Sequence, residues 1–247
     1  MTFSMPPTFP QDTFQEFGKR ASELFPVIPS DETPNDLLQK QQHFERALWA
    51  VAYRYRACSE LNEAFRALLQ GASDHWRKWN ADEELNYRLE QCLYHFFANC
   101  VSVFDSLAFC LYFVGAMMAP EHFPYISKPN NIKLKTTTSA FASAFPNAPI
   151  TEHLWGLSEN PEFKKIKTIR NILAHRIIGR RNIHICGTTG ADGKYTKTRE
   201  EIWYIPGSNE RLEFSEKLIQ HHLEETNRLL TTLVSVSLEF VKSERRK

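Results

Sequence analysis

The sequence predicts an all-α protein built around four main helices. Apolar residues recur at intervals of three and four over long stretches, which is the spacing of amphipathic helices. Only 9 of the 247 residues are glycine, which argues against a Gly-rich β architecture. Hydrophobic residues make up 42% of the chain, enough for one domain with a large core. We expect an up-and-down helical bundle with a small β-hairpin before the last helix.

Prolines and apolar periodicity set the predicted boundaries of the elements. Residues 1–35 contain six prolines, so we expect an extended Pro-rich arm with one short helix near 14–24. A single helical domain follows over residues 36–247. Gly71 is expected to end the first main helix, because glycine commonly terminates helices. The main helices are predicted at about 34–70, 81–118, 160–179 and 215–242.

Two segments between these helices carry other signals. Residues 120–160 contain five prolines and predict an irregular insertion, with short helices near 137–145 and 151–157. Residues 182–206 show apolar alternation on both sides of an Asp192-Gly193 pair. That pattern predicts the β-hairpin.

The most informative motif is Arg170-Asn171-Ile172-Leu173-Ala174-His175. At 100° per residue, His175 lies about 140° round a helix from Arg170, and Lys167 and Asn171 fall within that arc. A permanent cation, an amide and a side chain that titrates near neutrality are thus gathered on one side of a helix. Such a set suits chemistry on a phosphodiester.

The context of the motif supports a helix with a cationic face. Asn160-Pro161-Glu162 is a typical helix start, with a capping side chain, Pro at the first position and an acid in the first turn. Residues 163–191 contain seven Lys or Arg and no Asp or Glu, although the whole chain carries a net charge of only +1. Any nucleic-acid binding is therefore expected to be local.

The motif and the helical layout resemble the HEPN superfamily, the higher-eukaryote and prokaryote nucleotide-binding domains. Arg170, Asn171 and His175 match its signature of Arg, a polar residue and a His, with four residues between Arg and His. The resemblance covers roughly residues 36–119 and 160–245. It implies a homodimer paired through the motif helices and, in many members, a metal-independent ribonuclease with no cofactor. Other members have lost activity and serve as binding modules.

The resemblance assigns roles to residues of the motif. His175 would be the acid/base, Arg170 would hold the phosphate, and Asn171 would orient His175 or contact the phosphate. The alternative is that each is a helix-surface residue paired within the bundle. Further basic residues would follow the RNA backbone or be ordinary solvated cations; they are Lys167, Arg176, Arg180 and Arg181.

Asp105 is a supporting polar residue within the apolar stretch 91–119. It is expected to hold the Arg170 guanidinium or, alternatively, to form a structural ion pair with Arg54 or Arg56. His95, Asn99, Ser102 and Ser106 form a polar stripe on the same helix. The stripe favours a central bundle helix over a membrane span.

No metal site is predicted. His221 and Glu225 are one helical turn apart, but nothing else in the sequence completes such a site, and His221 and His222 are expected on a hydrated helix face. The five cysteines form no CxxC pair, which points to a reducing cytoplasm; they are Cys58, Cys92, Cys100, Cys110 and Cys186. The sequence also lacks a Gly-rich phosphate loop, His-Glu-x-x-His and Gly-x-Ser-x-Gly.

Two functions follow as expectations. The first is a metal-independent endoribonuclease of the toxin or host-defence type, which attacks RNA through its own 2′-hydroxyl. The second is a non-catalytic HEPN-like module that binds nucleotide, RNA or a protein partner such as an antitoxin. A helical scaffold with neither property is the third possibility.

Overall fold

The structure, a computed structural model, describes residues 5–25, 35–75, 83–124, 131–175, 180–189, 193–204, 211–213 and 215–244. It is mostly helical, which confirms the predicted all-α class. The described elements are α1 (Gln11–Ser22), α2 (Asn35–His75), α3 (Glu83–Met118), α4 (Leu134–Ala144), α5 (Pro149–Glu159), α6 (Pro161–His175), β1 (Arg180–Thr189), β2 (Tyr195–Tyr204), β3 (Arg211–Glu213) and α7 (Glu216–Glu244).

Helix α3 is the centre of the core. It packs against α2, α4, α6 and α7, and Phe96, Phe97 and Leu107 are fully buried in those contacts. Within the described residues, its segment Tyr87–Met118 is the one helix long and apolar enough to cross a membrane. Because 72% of its most apolar window is buried inside the protein, α3 matches a core helix.

The N-terminal arm folds onto the domain. The short helix predicted near 14–24 is α1, which begins at Gln11 and packs against α7. Phe9, Phe14 and Phe17 are buried, and the Thr8 hydroxyl lies 2.8 Å from the Tyr55 hydroxyl. Apolar side chains therefore hold this part of the arm in the core, and it is not extended there.

Two predictions of local structure were wrong. Helix α2 does not end at Gly71 but continues to His75, since glycine within a helix costs only about 1 kcal/mol. Residues 131–160 contain the two predicted short helices, α4 and α5, but they are not an irregular insertion, because both helices belong to the core. Phe141, Ile150 and Leu154 are fully buried there.

The three strands form one antiparallel sheet in the order β1-β2-β3. In β1 and β2, Arg180 is paired with Tyr204 at one end and Thr189 with Tyr195 at the other. β3 adds to the free edge of β2. The third main helix was predicted to end near residue 179; α6 is described to His175, and residues 176–179 lie outside the described chain.

Candidate functional site on helix α6

The start of α6 matches its sequence signal. The Asn160 side-chain oxygen accepts a hydrogen bond from the backbone N–H of Phe163 at 3.0 Å, as expected for an N-cap. Phe163, Ile166 and Ile169 are buried against the rest of the domain. The Phe163 ring meets the Phe104 ring of α3 edge to face, with centroids 5.0 Å apart. These contacts fix α6 on the core, so its outer face has a defined direction.

The outer face of α6 is polar. Lys164, Thr168 and Asn171 are exposed and lie on one stripe, at intervals of four and three residues. His175 is the last residue of α6, four residues after Asn171, so its backbone position continues the same stripe. Its side chain lies outside the described part of the structure. The predicted amide and acid/base positions thus share the exposed side of the helix.

Arg170 occupies the edge between this face and the core. The residue is half-buried, and its Nε atom is buried with no hydrogen-bond partner in the described part of the chain. Lys167 is exposed beside it, and its ammonium lies 5.6 Å from the centroid of the Phe163 ring. Buried guanidinium nitrogens normally have an acceptor, so the Nε–H of Arg170 is an unsatisfied donor within the described part of the chain.

Asp105 of α3 faces this edge. Burial of its carboxyl raises its pKa, and the nearby positive charges of Lys167, Arg170 and Lys133 lower it, with a net rise. The residue as a whole is nevertheless exposed to solvent, so the burial of its carboxyl is incomplete. Among the side chains that the structure describes, Asp105 makes no ion pair within 4.0 Å. It therefore acts on the three cations through its field rather than through a direct bond.

The alternative partners predicted for Asp105 bond elsewhere. Arg54 donates a hydrogen bond to the Asn99 side-chain oxygen at 3.2 Å. The Nε of Arg56 donates to Glu60 at 2.7 Å. Of the arginines considered from sequence, Arg170 is the one whose charge bears on the Asp105 carboxyl.

The structure brings three of the predicted site residues together, whereas the side chains of others lie outside its described part. Arg170, Lys167 and Asp105 share one region at the junction of α3 and α6. The Arg180 and Arg181 backbones lie in β1, but their side chains are outside the described part. Arg176 lies wholly outside the described residues.

Sequence reasoning missed Lys133. It is exposed, at the N-cap position of α4, and its charge reaches Asp105 from a third element. Lys133 is far from α6 along the chain, so no spacing rule links it to Arg170. Three cations around one carboxyl leave a net positive region, which suits binding of a phosphate group.

A second group of polar residues lies where α6 meets α7. His221 Nε2 lies 3.4 Å from the Glu162 carboxylate, and the adjacent His222 is fully buried. The prediction of a hydrated face was therefore wrong for His222. Burial lowers the pKa of His222 to about 4, and the Lys165 and His221 charges act in the same direction. The burial of His222 could have been predicted from its position between Ile219 and Leu223, which are both buried.

Helix α2 presents an exposed aromatic surface that was also not predicted. The side chains of Trp49 and Tyr53 are one turn apart and are 56% and 62% exposed. They line a cavity of about 350 Å³ together with Arg46 and Arg54. Exposed aromatic rings interleaved with arginines are typical of surfaces on which unpaired bases stack.

No family model, curated protein or solved structure matches this chain. The protein is therefore described by its own fold and candidate site. The chain is a mostly helical protein in which a cationic edge of α6 faces a carboxyl on α3.

Proposed function

We propose that this protein is a metal-independent endoribonuclease of the toxin or defence type, with α6 as its catalytic helix. One observation carries the proposal. Arg170 is half-buried beside Asp105, keeps an unpartnered Nε–H in the described structure, and stands on the same helix as His175. Lys167 and Lys133 add positive charge around it. A phosphodiester held there would have its charge offset by three cations.

The proposed reaction uses the RNA itself as nucleophile. His175 takes the proton of a 2′-hydroxyl, whose oxygen attacks the adjacent phosphorus while the bond to the 5′-oxygen breaks. A protonated histidine then supplies a proton to the leaving 5′-oxygen. The products are a 2′,3′-cyclic phosphate and a 5′-hydroxyl. Arg170 stabilises charge on the non-bridging oxygens, and Asn171 positions His175 or the phosphate.

We also propose that α2, α3, α6 and α7 form an up-and-down, HEPN-like four-helix core. The packing of α3 against α2, α6 and α7, and of α7 against α2 and α6, supports this arrangement. In the proposed homodimer two copies of α6 face each other across one cleft, in which the stripe of Lys164, Thr168 and Asn171 contacts RNA. A protein antitoxin covering this cleft in the cytoplasm would suit the proposed role.

A comparison of RNA with DNA tests the proposed chemistry. A single-stranded RNA and its all-2′-deoxy counterpart of the same sequence are incubated with the protein in EDTA. We expect the RNA to be cut and the deoxy strand to remain intact, because only RNA carries the nucleophile. Cleavage of both strands at similar rates would contradict the mechanism.

A charge variant tests the position of the substrate. Lys167→Ala should raise KM for RNA several-fold and reduce its salt dependence, because one phosphate contact is lost. Lys217→Ala is the matched control, since Lys217 is an exposed lysine of α7. Equal effects of the two variants would mean that net charge, rather than the α6 edge, controls binding.

The second candidate function is a non-catalytic RNA-binding module, favoured by the exposed pair Trp49 and Tyr53. Stacking on these rings would quench tryptophan fluorescence when single-stranded RNA is added. Trp49→Ala and Tyr53→Ala should then each weaken binding about 5- to 150-fold, at 1–3 kcal/mol per stacked base. Uncut RNA together with this loss of affinity would favour the module over the ribonuclease.

A further inference from the structure

Three metal-ligating side chains meet between the first turn of α6 and the start of α7. They are Glu162, His221 and His222. One potential ligand atom from each of the three lies within 4.8 Å of the other two. In this cluster His221 Nε2 lies 3.4 Å from Glu162 Oε2.

His222 is the unusual member of this cluster. Its residue is fully buried, and neither ring nitrogen has a hydrogen-bond partner in the described part of the chain. The Phe97 ring packs edge to face against the His222 imidazole, with 5.3 Å between centroids. A phenyl ring has no lone pair, so Phe97 cannot accept a conventional hydrogen bond from the imidazole. Buried polar atoms in native proteins are almost always partnered. A ligand that accepts a lone pair would provide a partner for one of the two ring nitrogens.

The set of donors identifies the kind of ligand. Two imidazole nitrogens and one carboxylate oxygen are donors that Zn²⁺ and similar first-row transition metals prefer, whereas Ca²⁺ and Mg²⁺ prefer oxygen alone. Tetrahedral ligands at zinc bond lengths lie about 3.4 Å apart, which matches the observed gap between His221 and Glu162. The ligand atom of His222 lies within 4.8 Å of the other two, so a side-chain rotation would bring it to bonding distance of a shared ion.

The surrounding charges are compatible with a dication. Glu225 faces both histidines, and its carboxylate pairs with Arg228 at 2.6 Å. Lys165 also bears on His222 and opposes a cation. With Glu162 and Glu225 counted against Arg228 and Lys165, the fixed charges cancel. These charges therefore neither favour nor oppose the binding of a cation. The bonds between the metal and its ligands must supply the binding free energy.

We propose that Glu162, His221 and His222 bind one first-row transition-metal dication, such as Zn²⁺, with water completing its coordination. This site differs from the proposed ribonuclease site. Glu162 precedes Arg170 by eight residues, about 12 Å along the helix axis. The metal would pin the start of α6 to α7, so its role is structural, and the proposed cleavage does not pass through it.

Titration of the chelator-stripped full-length protein with ZnCl₂ tests the proposal. We expect binding of one ion per chain by calorimetry, and a tetrahedral visible spectrum when Co²⁺ replaces Zn²⁺. At a free Zn²⁺ concentration a hundredfold above Kd, Tm should rise by roughly 5–10 °C. Glu162→Gln and His221→Ala should each weaken binding at least tenfold. Both residues reach solvent, so these variants are expected to fold.

His95→Ala is the matched control, because His95 is an exposed histidine on α3, away from the cluster. It should leave affinity and stoichiometry unchanged. Absence of Zn²⁺ binding to the wild type would overturn the proposal, as would unchanged affinity in both cluster variants. Neither result bears on RNA cleavage, so the two proposals fail separately.

Discussion

Phe163 of α6 packs edge to face against Phe104 of α3, with ring centroids 5.0 Å apart. Both rings are buried, and this pair lies close to Asp105 and Lys167 in sequence. The contact therefore couples the packing of the core to the geometry of the candidate site. Any change that lets α6 move on α3 alters the position of Arg170 relative to Asp105.

Removal of the Phe163 ring should destabilise the protein strongly. Phe163→Ala is expected to lower the free energy of unfolding by about 3–5 kcal/mol, because it leaves a cavity between α3 and α6. Phe163→Leu should cost clearly less, since most of the buried volume is kept. Chemical denaturation monitored by circular dichroism measures both. Similar small losses in the two variants would show that this contact does not hold α6.

Substitution of Asp105 should change the pH dependence of stability. Its pKa is raised in the folded protein, mainly by burial, so the folded state keeps the proton to a higher pH than the unfolded chain. The free energy of unfolding therefore falls as pH rises from the unfolded pKa, near 3.9, through the higher folded pKa. Asp105→Asn removes this dependence.

The Asp105→Asn variant is expected to be more stable than the wild type at pH 7.5. The difference between their free energies of unfolding should shrink toward pH 4. Denaturation at several pH values measures it. Because the Asp105 charge acts on Arg170, we expect the same variant also to cleave RNA more slowly, despite its higher stability. A variant that loses stability at neutral pH would show that the ionised carboxyl has a favourable partner.

Two helical glycines should respond oppositely to alanine. A Cβ at Gly115 would overlap the Phe123 ring, so Gly115→Ala should destabilise by about 1–3 kcal/mol. At Gly156 a Cβ meets nothing within 4 Å, so Gly156→Ala in α5 should stabilise by about 0.5–1 kcal/mol. Thermal unfolding of the two variants checks the pair. Equal shifts of the same sign would contradict the packing of α3 against Phe123.

The buried thiols should be inert in the native protein. Cys58, Cys100 and Cys110 are buried, and burial raises the pKa of Cys58 and Cys110, so little thiolate forms. In a Cys186→Ser background at pH 8, a disulfide reagent should modify only the partly exposed Cys92, and slowly. All four should react in guanidinium. Rapid native reaction of the buried thiols would show that the α2–α3 packing opens readily.

The sequence predicted the helices better than their contacts. Periodicity located α3, α6 and α7 to within a few residues, because each has a continuous apolar stripe. Gly71 misled the prediction, since a local helix terminator is outweighed by the packing of a long helix. The burial of α4 and α5 was missed because prolines mark where a helix starts but not whether it is buried.

The candidate site was predictable only along α6 itself. Helical spacing relates Arg170 to His175. Asp105 was predicted as a partner of Arg170 for a different reason, because an acid in an apolar helix needs a cation. Lys133 and the approach of His222 to Glu162 depend on how separate elements pack. No rule based on local spacing contains that information.

The most direct test of the central claim is cleavage of total tRNA and messenger RNA in EDTA by wild type and His175→Ala. The assay is run at a temperature at which the protein remains folded in EDTA. His122→Ala serves as a control, because His122 is an exposed histidine. We predict fragments ending in 2′,3′-cyclic phosphate with wild type and control, and none with His175→Ala. Intact RNA with folded, dimeric wild type, or undiminished cleavage by His175→Ala, would contradict the assignment.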